Sequence, residues 1–179
     1  MSNPMTIRAA DEAIAELKQI LERLPGHAAT IGLLADTYFA KGDHTAAIRA
    51  YQTFLGLQPD HPDALANLGI AHAATGCASE AVDAFRGVLR AQPADAMAAL
   101  NLARALLDRG GPADVREAVE LARHGAALMP TAPAAFELLG RALELSGNPP
   151  GARESYERAL RLDPCYEPAR VGLMRVRGR

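Results

Sequence analysis

A proline returns through this 179-residue chain at Pro25, Pro59, Pro93, Pro130 and Pro164, spaced by 34, 34, 37 and 34 residues. Each follows a helical run such as AIRAYQTFLGLQ or ARESYERALRLD and ends it, because proline lacks the amide donor and restricts the residue before it. Between successive prolines the pattern predicts two helices of about 13 residues. Gly42, Gly76, the pair Gly110 and Gly111, and Gly147 part them near the midpoint, where a helix C-terminus favours a left-handed residue. A period of this length points to stacked helix pairs, since one pair cannot bury its apolar face alone. Composition agrees: with 4% aromatic residues and no tryptophan, an alanine-rich chain cannot fill a wide β-sandwich or barrel.

Framed on the prolines, the repeats run 28–61, 62–95, 96–132 and 133–166. Leu34, Leu68, Leu102 and Leu139 take the seventh place of each first helix, followed by Ala35, Gly69, Ala103 and Gly140 at the eighth. Tyr38, His72, Leu106 and Leu143 follow one turn later. The second helices supply Ala47, Ala81, Ala118 and Ala152, then Tyr51, Phe85, Ala122 and Tyr156. A large residue beside a tiny one lets two helix backbones approach closely.

This alternation resembles the tetratricopeptide repeat (TPR) family, most clearly in ALANLGIAHAATGCASEAVDAFRGVLRAQP and AAFELLGRALELSGNPPGARESYERALRLDP. The resemblance covers nearly the whole chain and implies an all-α fold, a right-handed α-solenoid of stacked antiparallel helix pairs. The family's usual tryptophan at the fourth place is replaced by Ile31, Leu65, Ala99 and Phe136. The third repeat departs further, with Ala99, Ala103, Ala122 and Gly125 at packing places and a three-residue insertion around Gly111, Pro112 and Ala113. We therefore expect a loosely packed third repeat that serves as a flexible joint.

The ends carry half repeats. Residues 6–27, containing DEAIAELKQILERL, place Ala13, Leu17, Ile20 and Leu21 in second-helix register. The apolar side of this leading helix is expected either to meet a partner or another copy, or to be covered by Pro4 to Ile7. Residues 167–179 form a helix in first-helix register with Leu173 inward and Arg170, Arg175, Arg177 and Arg179 elsewhere, which reads as a polar cap.

In the resembling family the first helices line a concave groove through the second, fifth, sixth, ninth, twelfth and thirteenth places. Carried over residue by residue, the sixth place gives Leu33, Asn67, Asn101 and Leu138, so Asn67 and Asn101 would form a short amide ladder for the backbone of an extended peptide. Asparagine at this place also bonds within the repeat. The ninth place gives Asp36, Ile70, Arg104, Arg141 and Arg175. A row of guanidinium groups suits acidic side chains or a C-terminal carboxylate, because each fork can hold a carboxylate bidentately. Chance alignment competes with that reading, and Glu137 or Glu144 could neutralise Arg141 at helical spacing. An apolar floor of Ala66, Ile70, Ala73, Ala74, Met97, Leu100, Leu107 and Phe39 would take hydrophobic anchors, with core packing the alternative for Leu107 and Phe39. Some TPR proteins grip chaperone C-termini with a clamp of lysine, asparagine and arginine; here Asn67 stands with Gly32, Asp36, Met97 and Asn101, so that clamp is absent.

Other function classes find little support. A formal charge of -2 gives no overall field for nucleic acid or an anionic membrane. Cys77 and Cys165 lie far apart without ligand-spaced neighbours, so neither a disulfide framework nor a zinc site is expected, and reduced thiols suggest the cytoplasm. Met1 to Thr6 is polar, no window approaches eighteen apolar residues, and a soluble, unexported chain is expected. The five histidines, at His27, His44, His61, His72 and His124, fall at turns or the packing seam. No phosphate loop, nucleophile elbow or HExxH motif accompanies them, and neither catalysis nor a cofactor is expected. The sequence reads as a non-catalytic scaffold that binds a peptide segment of a partner protein, an acidic one on the arginine-row reading. The alternatives are the repeat module of a larger enzyme, such as a glycosyl- or sulfotransferase, or of a secretion assembly, and a self-assembling scaffold.

Overall fold

Four glycines set the turns within the helix pairs: Gly42, Gly76, Gly110 and Gly147 all have φ between 78° and 83°, where a Cβ is strained. In the computed structural model, which describes the backbone of residues 4–178 and the side chains of residues 8–178, these turns separate long helices. Met1 to Asn3 and Arg179, part of the polar N-terminus and the basic tail, lie outside the described residues. The chain divides into two compact units, Met1–Pro93 and Ala94–Arg179.

The first unit holds α1 (Pro4–Arg23), α2 (Ala28–Lys41), α3 (His44–Leu57), α4 (Pro62–Ala74) and α5 (Ala78–Ala91). The second holds α6 (Ala96–Arg109), α7 (Pro112–Leu128), α8 (Pro133–Leu145), α9 (Pro149–Leu162) and α10 (Glu167–Arg177). Within a unit each helix packs on its chain neighbours, and first helices also stack on first helices, α2 with α4, α6 with α8 and α8 with α10. Side-chain caps fix several starts: Asp43 accepts from the Ala46 amide, His61 from Ala64, Asp95 from Ala98 and Asn148 from Gly151.

Small residues let a ring enter the seam of three of the repeats. A Cβ at Gly69 would lie 2.8 Å from the Phe85 ring, and one at Gly140 2.7 Å from that of Tyr156. Tyr51, Phe85 and Tyr156 are buried accordingly, beside fully buried Ala47, Ala81 and Ala152.

Two expectations change. The insertion in the third repeat lengthens a helix: α7 begins at Pro112 and runs 17 residues against 14 for α3, α5 and α9, with Arg109 forked onto Asp114 at 2.8 and 2.6 Å across its start. The repeat is not loosely packed. Leu100, Leu102, Leu106 and Leu107 are all buried with Ala99, Ala103 and Ala122, and a Cβ at Gly125 would stand 2.6 Å from Leu100. At the N-terminus, the backbone of residues 4–7 continues α1 rather than folding over it.

His72 sits in the seam with its Nδ1 unbonded, and burial lowers its pKa below 6.5 against an opposing pull from Glu80. The neutral ring is the folded form, so stability is full above pH 6.5 and falls as pH drops below it toward the lowered folded pKa. The same place carries Leu106 and Leu143. His72→Leu is expected to stabilise by about 1 kcal/mol and to flatten the decline between neutral and mildly acid pH in thermal melts.

Candidate peptide groove

Arg104 on α6, Arg141 on α8 and Arg175 on α10 belong to stacked first helices of the second unit, and all three act on one carboxylate, Glu137. Burial raises the Glu137 pKa above its ordinary 4.5, and Arg104, Arg141 and Arg175 oppose that rise in this order. The three arginines of the row thus share electrostatic reach of one half-buried acid.

Its members differ in what they hold. Arg141 donates to Asp108 Oδ1 at 2.8 Å in an exposed pair. Arg175 forks onto Glu144 at 3.2 and 3.4 Å, and the same carboxylate accepts the Tyr156 hydroxyl at 3.0 Å. Glu144 is nearly buried, so this triad ties α8, α9 and α10 together. The Arg175 pKa is raised, with the Glu144 hydrogen bond as the largest cause. Arg104 is exposed and, among the described residues, has no ion-pair partner. Exposed ion pairs are worth about 0–1 kcal/mol, so Asp108 is easily exchanged for another carboxylate whereas Glu144 is not.

The first unit uses the same device with other groups. Tyr51 donates to Asp36 Oδ1 at 2.6 Å, and Asn67 Nδ2 donates to the Tyr51 hydroxyl at 3.0 Å. Burial is the first cause, and the Asp36 hydrogen bond the second, of a Tyr51 pKa raised well above 10.0. The Asn67 amide is thus engaged by the preceding repeat. A cleft of about 380 Å³ opens beside it, lined by Leu33, Asp36, Asp63 and Asn67 among others. Its two aspartates give it the opposite sign from the arginine row.

Of the remaining candidates, Met97 and Ile70 are exposed and Asn101 is half-buried. Leu100 is a correction: its side chain is buried, turned onto Gly125, and offers no open floor. Leu107 is core, and Phe39 packs edge-on against Tyr51 and His44. Sequence reasoning placed Tyr51 and Tyr156 as packing residues but missed the bonds of their hydroxyls, and it weighed Glu137 beside Arg141 without seeing Arg104 and Arg175 act on it too. A signal for the tyrosines exists: only the two repeats with tyrosine at the twenty-fourth place carry an acid at the ninth or twelfth, Asp36 and Glu144.

Among the described residues no cluster of three or more His, Cys, Asp or Glu is placed to hold a metal, and no helix is long and apolar enough to cross a membrane. A tetratricopeptide repeat family model matches residues 33–96, 76–123 and 100–166, and a second model of that description matches 8–53. The chain belongs to the tetratricopeptide repeat family. No curated protein matches this TPR chain. Among solved structures it is similar to MamA, with TM-score 0.80 and 24% identity over 87% of this chain and 84% of that one. YrrB, described as a TPR protein with an unusual peptide-binding site, gives TM-score 0.83 and 18% identity over 92% and 84%. The first TPR of Spaghetti, bound to the HSP90 peptide SRMEEVD, gives 0.61 and 22% over 65% and 90%. These likenesses establish the TPR fold, a stack of helix pairs.

Proposed function

We propose that this TPR chain is a non-catalytic interaction module whose second unit holds an acidic segment or C-terminal carboxylate of a partner protein. The TPR family and fold are generally protein-interaction modules, and YrrB and Spaghetti, both similar in fold, are described as having a peptide-binding site and a bound peptide. The observation that carries the ligand chemistry is the Arg104, Arg141 and Arg175 row with Arg104 unpaired among the described residues. A ligand carboxylate meets Arg104 directly, then takes Arg141 from Asp108 at little cost. Met97, exposed on the same helix as Arg104, offers contact to an apolar neighbour of that carboxylate. Asn101 stands on that helix too, as an amide for the ligand backbone.

Fluorescence anisotropy with a labelled library of acidic and neutral peptides, with free and amidated C-termini, tests the reading. Acidic peptides are expected to be selected, and the double variant Arg104→Glu with Arg141→Glu to weaken them by more than tenfold, since a hydrogen bond to a charged group contributes about 1.5–3 kcal/mol. Selection of neutral or basic peptides, or unchanged affinity of the double variant, rejects it. Glu137 makes a second prediction. Its raised pKa means that it is neutralised at a higher pH than an ordinary carboxylate, which removes a charge competing with the ligand. Glu137→Gln is expected to tighten acidic peptides several-fold at neutral pH, about 1 kcal/mol, and to abolish the tightening expected of wild type as pH falls toward that pKa.

A further inference from the structure

A cleft of about 610 Å³ lies among α7, α8 and α9 of the second unit. That volume falls in the range of sites that hold a ligand, about 300–1,000 Å³. On α8 its lining is Phe136, Leu139 and Leu143. Arg141 stands two residues from each of these leucines, so at about 3.6 residues per turn it leaves α8 on the opposite side. The cleft is therefore separate from the arginine row of the groove.

Three guanidinium groups line it. Arg123 comes from α7, and Arg158 and Arg161 come from α9. All three are exposed, and among the described residues none has an ion-pair partner. Elsewhere in the unit Arg109, Arg141, Arg170, Arg175 and Arg177 each hold a carboxylate. An acid is at hand here too: Glu154 lines the same cleft four residues before Arg158, a spacing at which helical ion pairs form. Arg158 lies instead over the Phe136 ring, its Cζ 5.7 Å from the centroid. A guanidinium resting on an aromatic face keeps its in-plane donors for a ligand. It is also ordered before the ligand arrives, which lowers the entropy lost on binding. The repeat itself does not call for these arginines, since the same three places around the second repeat are Gln52, Gly87 and Arg90.

Charge selects among anions. Three guanidinium groups against Glu154 leave the cleft with two positive charges. A carboxylate brings one negative charge, whereas a phosphate monoester brings about 1.5 to 2 at pH 7, with three acceptor oxygens for the arginine forks. The uncharged polar side chains of the lining are turned onto the start of α9. Asn148 Oδ1 accepts from the Gly151 amide at 3.1 Å, and Ser155 Oγ donates to the Gly151 carbonyl at 2.9 Å. Little is left to read the edge of a nucleobase. Pro149 and Pro150 have no amide hydrogen, so the arginines, not the helix start, must hold the anion.

We infer that this cleft binds a phosphorylated side chain of a partner polypeptide, with Arg123, Arg158 and Arg161 on the phosphoryl oxygens. A polypeptide carrier fits a TPR chain, whose family generally serves protein interaction. The site stands apart from the acidic-segment reading, because Arg104, Arg141 and Arg175 take no part in it.

Fluorescence anisotropy of the full chain with labelled degenerate peptides tests the inference. The central residue is phosphoserine, phosphotyrosine, serine, tyrosine or glutamate. A phosphorylated centre is expected to bind, and the other three to bind more weakly by roughly tenfold or more. Inorganic phosphate at millimolar concentration is expected to compete, and adenosine monophosphate to compete no better than inorganic phosphate. The double variant Arg123→Gln with Arg161→Gln alters exposed positions, and far-UV circular dichroism checks that it stays folded. It is expected to weaken the phosphorylated peptides by roughly tenfold or more, whereas Arg104→Glu with Arg141→Glu leaves them unchanged. Phosphorylated peptides that do not bind, or that bind no better than glutamate peptides, overturn the inference. So does adenosine monophosphate that competes better than inorganic phosphate, which marks a nucleotide site. Loss in the Arg104 and Arg141 variant with none in the Arg123 and Arg161 variant also overturns it, and leaves the acidic-segment reading standing.

Discussion

Tyr156→Ala is expected to lower the unfolding free energy by about 3–5 kcal/mol, the range for deleting a buried aromatic ring. The ring is fully buried and wedged between two glycines: a Cβ at Gly140 would lie 2.7 Å from it, and one at Gly172 on α10 2.4 Å. Two of its walls are bare glycine backbone, which offers no side chain to swing into the space. The hydroxyl adds a second attachment through Glu144, which also holds Arg175, so the variant loosens α8, α9 and α10 at once. Urea unfolding followed by circular dichroism measures the loss, and limited proteolysis should cut first around α10. Tyr156→Phe keeps the ring and should cost only about 1 kcal/mol. It also changes the alkaline limb. Burial, then Glu144, raises the phenol pKa well above 10.0, so its contribution is full below pH 10.0 and is lost as pH rises toward the folded pKa. Wild type should therefore lose stability faster than Tyr156→Phe in that window. Equal slopes would show that the hydroxyl is not coupled to folding.

Most of the fold was legible because it depends on residue size at fixed intervals. The alternation of Leu139 with Gly140 and of Ala152 with Tyr156 is visible in the sequence, and close packing is its direct consequence. The site was legible only in part. That Arg104, Arg141 and Arg175 share a register was readable, since a register needs only the period. How each arginine is occupied was not, because Asp108 and Arg141 stand 33 residues apart and Glu144 and Arg175 stand 31 apart, outside any helical spacing. Stacked first helices bring together residues a few positions short of one period. Asp36 and Asn67, also 31 apart, approach in the same way. Glu144 was weighed as a local neighbour of Arg141, three residues away, but the stack gives it to Arg175 instead. Local pairing rules fail here because stacked first helices bring side chains of adjacent repeats within hydrogen-bonding reach of each other.

The third repeat shows the same limit and supplies the second large effect. Its alanines and Gly125 suggested voids when each place was compared with its family counterpart alone. The missing volume is supplied from another place: Leu100, at the fifth, fills the space above Gly125 at the twenty-seventh, where the first repeat has the reverse pair of Gly32 and Phe54. Leu100→Ala is therefore expected to cost about 2–5 kcal/mol, as for a core leucine rather than a groove residue. Gly125→Ala alone should cost about 1–3 kcal/mol, since its Cβ would meet Leu100 at 2.6 Å and force the leucine aside. In the Leu100→Ala background the same substitution has room, and it gains the roughly 1 kcal/mol that alanine holds over glycine inside a helix. A double-mutant cycle should thus show strong favourable coupling, above about 1 kcal/mol. Additive costs would mean that the two residues do not share one space, and would restore the picture of a loose joint. Hydrogen exchange gives an independent reading: amides of α6 and α7 should be protected as well as those of α8 and α9, because the buried leucines that resist local opening are present in both repeats.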